Sequence, residues 1–142
     1  MLLFSIATLL PVVLLALSAL VGGVWVWLAV GYITVFTYTL DRFVRPFVPL
    51  RDPESEFPAG ETLSLVLAFA HFVLLWLAIF AIGGTDGLTP LEKFGAIIAF
   101  GLFFGQVSNP NAHELIHKSS RPLRALGKAV YISLLFGHHA SA

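Results

Sequence analysis

Of the 142 residues, 58% are hydrophobic and only 11% charged, whereas soluble domains carry about 25% charged residues. Eight Lys and Arg balance eight Asp and Glu, so no positive excess draws the chain to nucleic acid, and nucleic-acid partners are excluded from the reading. The absence of Cys removes disulfides, haem-thiolate ligation, iron–sulfur clusters and Cys-containing zinc sites, and leaves His and carboxylates as the metal ligands on offer. Residues 1–142 read as a single all-α integral membrane domain with the lipid bilayer as its solvent.

The opening "LLFSIATLLPVVLLALSALVGG" has the apolar run of a secretory signal but no basic n-region, and its apolar character continues without a polar mature start. It reads as an anchor. No charged residue occurs from Leu2 to Leu40, and that stretch as one helix would be about 58 Å long, twice the hydrocarbon thickness of a bilayer. Two transmembrane helices, about 2–20 and 23–40, follow from this, with Gly22 and Gly23 breaking the chain between them and Trp25 and Trp27 suited to the interfacial belt. Pro11 is expected to kink the first.

Residues 41–62 are rich in Pro and in charges of both signs and read as a loop. A third span is predicted at about 63–82, where Ser64 and His71 are the only polar side chains. "GGTDGLTPLEK" is a turn, with Thr89 as N-cap and Pro90 at the first helical position. A fourth, short span at about 91–107 carries Gly101 and Gly105 in a GxxxG pair, which would admit a neighbouring helix closely. His71 reads first as a hydrogen-bond partner for another helix and second as a channel or metal residue. Phe69, Phe72, Trp76, Phe100, Phe103 and Phe104 suit a hydrophobic tunnel, or more simply packing and lipid contact.

If both ends of this array lie on one side, that side holds Arg42, Arg45, Arg51, Lys118, Arg121, Arg124 and Lys128, with Lys93 alone opposite. The positive-inside rule then makes both ends cytoplasmic. The uncharged tail of residues 121–136 is too short to cross a bilayer, and its basic residues share a helical face. The expectation is an interfacial amphipathic helix, its apolar end dipping into the membrane or packed on the bundle.

The fourth span runs into "NPNAHELIHKSSR", residues 109–121. His113 and His117 are spaced i, i+4, so on a helix both imidazoles leave one face and can reach one metal ion. Asn111 is placed as the cap of a separate His-motif helix, with Glu114 returning the bond as in a capping box. "HELIH" also satisfies HExxH, in which the two His bind zinc and the Glu is general base, so a membrane zinc metalloprotease stands as an alternative. A non-enzymatic membrane bundle is the third reading. A second His pair, His138 and His139, stands in "FGHHASA".

The longer string "NPNAHELIHKSSRPLRALGKAVYISLLFGHHASA" resembles the first histidine box and following segment of the integral-membrane alkane 1-monooxygenases, relatives of the membrane fatty-acid desaturases and hydroxylases. The four preceding spans agree in number and polarity with that family's N-terminal half. The resemblance implies a bacterial inner-membrane, multi-pass protein with N-terminus and His motif cytoplasmic. It implies two non-haem iron ions held by histidines from several boxes, O2 activation, and oxygenation of the terminal carbon of a medium-chain alkane or fatty-acyl-like chain, with a rubredoxin-type electron donor. Carried onto this sequence, His113 and His117 match the two ligands of the first box. His138 and His139 stand just before the expected second box and are weaker candidates, and a role in hydrogen bonding around the site fits them better. The later boxes are missing, so the chain is expected to be the N-terminal part of a longer desaturase-like domain, inactive alone.

Overall fold

Two glycines reverse the chain after the first apolar run. Gly22 and Gly23 take positive φ of 70° and 61°, a conformation that costs a residue without a Cβ little. The computed structural model describes residues 2–39 and 60–136, and every regular element among them is helical. Helices α1 (Leu2–Leu20) and α2 (Val24–Thr39) form a hairpin about the glycine turn, and α1 runs through Pro11. The Tyr32 hydroxyl donates to the Ala7 carbonyl at 2.9 Å, joining the middle of α2 to the first half of α1.

Helix α3 (Gly60–Gly83) starts earlier than the apolar pattern predicts. Glu61 lies in its first turn, where a carboxylate complements the helix dipole. Helix α4 (Pro90–Phe103) begins as expected: Thr89 accepts from the Glu92 backbone N–H at 3.4 Å, Glu92 Oε2 accepts from the Thr89 N–H at 2.7 Å, and Pro90 follows the cap. The other oxygen of Glu92 accepts from the Gly23 N–H at 2.6 Å, so one carboxylate closes its own helix and ties the two interhelical turns together. The Lys93 ammonium donates to the Gly84 carbonyl. Both turns therefore stand at one end of the bundle, and the start of α1 stands at the other.

The fourth segment departs from expectation in its length. The chain does not stop near residue 107 and restart as a separate His-motif helix. It continues through a π turn, Phe104–Ser108, directly into α5 (Asn109–Ile116). The Asn109 N–H bonds to the Phe104 carbonyl five residues back. Pro110 explains the widening, because its ring clashes with the carbonyl four residues earlier and it has no N–H to donate. With no helix start at this point, the predicted Asn111–Glu114 capping box does not form. The Asn111 amide instead donates to the Ser64 carbonyl of α3 at 2.9 Å, and Glu114 pairs with Lys118 at 3.0 Å.

Two helical stretches are long and apolar enough to cross a membrane, Gly60–Gly83 and the joined Pro90–Ile116. The apolar parts of α1 and α2 are shorter. On α3, Phe69, Val73, Trp76 and Phe80 are each 60–68% exposed while Leu67, Leu74 and Ala78 are buried, so the helix is as apolar outside as inside, the pattern of a helix solvated by lipid. The aromatic residues do not gather round one tunnel: Phe100 and Phe103 are buried in the core, whereas Phe69 and Trp76 face outward.

Close helix approach uses glycines other than the predicted pair. A Cβ on Gly101 or Gly105 would meet nothing within 4 Å, but one on Gly95 would lie 2.9 Å from Val26 of α2. The last helix, α6 (Arg121–Ser133), uses Gly127 in the same way, where a Cβ would come within 2.8 Å of Leu115 and 2.9 Å of the Ala112 carbonyl. Helix α6 thus folds back antiparallel along α5 and packs on the bundle, the second of the two placements expected for it. Leu123, Val130 and Tyr131 are buried with Ala112, Leu115 and Ala68 in a small core separate from the main one.

Candidate metal centre at the end of the long helix

The site is built on α5, whose direction is set by the π turn before it and by α6 behind it. Spacing of i, i+4 on a helix brings two side chains to one face, and the imidazoles of His113 and His117 lie with ring centroids 4.7 Å apart at an interplanar angle of 57°. Both residues are exposed. They stand about 35–40 Å along the rod from Pro90, at the end of the bundle opposite the two interhelical turns.

Neighbouring groups leave the pair open. The Glu114 carboxylate, which would be the base in a metalloprotease, is held by Lys118. Arg124 reaches from α6 to donate to the carbonyls of Lys118 at 3.0 Å and Ser119 at 2.6 Å, satisfying acceptors left over where α5 ends. Thus Lys118 and Arg124 are engaged within the protein, while Arg121 and Lys128 are exposed.

Neutral imidazole is a good ligand for iron, zinc and copper, so the His113 and His117 side chains fit a metal as one half of a ligand set. Among the described residues no further His, Asp or Glu gathers with them into a group of three. His138 and His139 lie outside the described residues. His71 is not part of this pair; it is completely buried on α3, with Nε2 2.7 Å from the Ser133 Oγ of α6, the interhelical hydrogen bond expected of it. Phe72 and Phe104 present their rings at 5.1 and 5.0 Å from the imidazole in edge-on geometry.

Several supporting residues escaped the sequence reading. Gly127 had a legible signal, since Leu123, Gly127 and Val130 recur at helical spacing on one face. Ser133, Ser108 and the Ser64 carbonyl had none, because each matters through a partner distant in sequence. Comparison with known proteins finds no matching family model, no matching curated protein and no matching solved structure.

Proposed function

We propose that the chain is a multi-pass membrane part of a non-haem di-iron monooxygenase, with α1 to α4 as its four membrane-crossing helices. The reaction is hydroxylation of the terminal carbon of a medium-chain alkane or a similar hydrophobic chain by O2, with electrons from a rubredoxin-type donor. The observation that carries the reading is the exposed pair His113 and His117, two imidazoles on one face at the end of a long apolar helix. Polar side chains at such a place are costly to keep and usually functional. When bound, iron would supply the oxygen chemistry. The chain's own residues hold and orient: His113 and His117 donate two ligand nitrogens, Arg124 and the α5–α6 packing set the end of the helix that bears them, and the apolar bundle accommodates a substrate that water excludes. The remaining ligands belong to other histidines, among which His138 and His139 are candidates. In the membrane this end of the bundle is cytoplasmic, with Lys118, Arg121 and Arg124 beside the pair and Lys93 at the far end.

Membranes containing the full-length protein should hydroxylate octane, and His113→Ala should abolish the product; undiminished product overturns the proposal. Metal analysis of the purified protein should find iron, whereas zinc would favour the metalloprotease reading of HELIH. The Glu114–Lys118 ion pair speaks for the first, and Glu114→Gln separates the two, since it removes the base a protease requires while leaving both imidazoles in place.

A further inference from the structure

His71 and Ser108 are a second polar locus, buried where α3, the π turn and α6 meet. Ser133 Oγ donates its hydrogen to the Val130 carbonyl at 2.7 Å. A hydroxyl has one hydrogen to give, so toward His71 Nε2, 2.7 Å away, Ser133 accepts. The imidazole is therefore the Nε2–H tautomer, and its Nδ1 is a bare acceptor. Among the described residues Nδ1 has no hydrogen-bond partner, and neither does Ser108 Oγ. The two residues are 0% and 2% exposed. One orphan must accept and the other can donate, and buried polar groups are rarely left unpaired.

Both residues lie along the contact seam between α3 and the fourth segment. Phe104 meets His71 edge-on, while Asn111 reaches the Ser64 carbonyl. These contacts run in opposite directions along the two helices, and Ser108 is buried between Phe104 and Asn111. A helical serine commonly bonds to the carbonyl four residues back, here that of Phe104, but the Ser108 hydroxyl makes no such bond. It is left for a partner across the seam.

We propose that the seam binds one buried water, which accepts from the Ser108 hydroxyl and donates to His71 Nδ1. Ser108, water, His71 and Ser133 then form a continuous polar clamp binding the π turn to α3 and α6, and it fixes how the rod presents α5. Two such partners are the smallest number an internal water uses. The clamp does not depend on metal at His113 and His117, so it stands or falls separately from the monooxygenase reading.

Solid-state NMR on the chain in lipid bilayers, with 15N-labelled histidine, tests it; His71→Asn assigns the His71 ring signals by their loss. Water-edited spectra should show transfer from water to His71 Nδ1, with Nδ1 at the unprotonated position. Ser108→Ala should move Nδ1 and leave Nε2 in place, and Ser108→Thr, which keeps the hydroxyl, should preserve the wild-type signal. Absence of water transfer in the wild type overturns the proposal, whatever the variants do. An Nδ1 signal indifferent to Ser108→Ala, or a protonated Nδ1, overturns it equally.

Discussion

The two ends of the bundle hold themselves together by different means. At the turn end, Glu92 and Lys93 are spent on reversing the chain: Glu92 serves Thr89 and Gly23, and Lys93 serves Gly84. Below it lies the larger apolar core, with Leu15, Val26, Phe100 and Phe103. At the histidine end, polar groups bridge helices instead, Asn111 to Ser64, His71 to Ser133 and Arg124 to the end of α5, over a smaller apolar cluster. The difference shows where the chain invests in presenting side chains and where it only needs to close. A turn needs local caps, whereas an exposed imidazole pair needs a helix held at a fixed direction by partners from elsewhere.

Substitutions can break that contrast. The largest expected effect is at Leu115, completely buried between α5 and α6: Leu115→Ala should destabilise the histidine end by about 2–5 kcal/mol, read as a lowered unfolding midpoint in detergent together with weakening of the proposed metal binding. Gly127→Ala comes next, since its Cβ would strike Leu115 and the Ala112 carbonyl; the cost should be about 1–3 kcal/mol. Gly101→Ala, facing open space, is its control and should leave the midpoint unchanged or slightly raised. The smallest loss belongs to the turn end, where Thr89→Ala removes a cap worth about 0.5–2 kcal/mol. It should lower the midpoint without altering the metal binding proposed for His113 and His117. If Thr89→Ala weakened metal binding as much as Leu115→Ala, the two ends would not be separate.

Much of this was legible in one dimension. Apolar runs bounded by Gly22, Gly23 and the Thr89–Pro90 cap located the helices, because caps and turns act through near neighbours in sequence. The i, i+4 spacing of His113 and His117 placed them on one face for the same reason. What failed was the boundary at residues 104–111. "NPN" has the composition of a helix start, and Asn111 is a sound cap on local grounds, yet α3 offers the Ser64 carbonyl and the helix continues through a π turn. The GxxxG pair failed similarly. Spacing shows that a backbone is accessible but not which helix approaches it, and Gly95 and Gly127 hold the close contacts.

The sequence by itself therefore determined the helical elements, their apolar character and the pairing of two imidazoles, all set by periodicity and by residues within a turn of one another. Only the tertiary structure decided that the histidine motif extends the fourth segment, that α6 folds back on it, and that His71 joins α3 to α6. Each of those depends on contacts between residues more than a helical turn or two apart, whose energies no local pattern records.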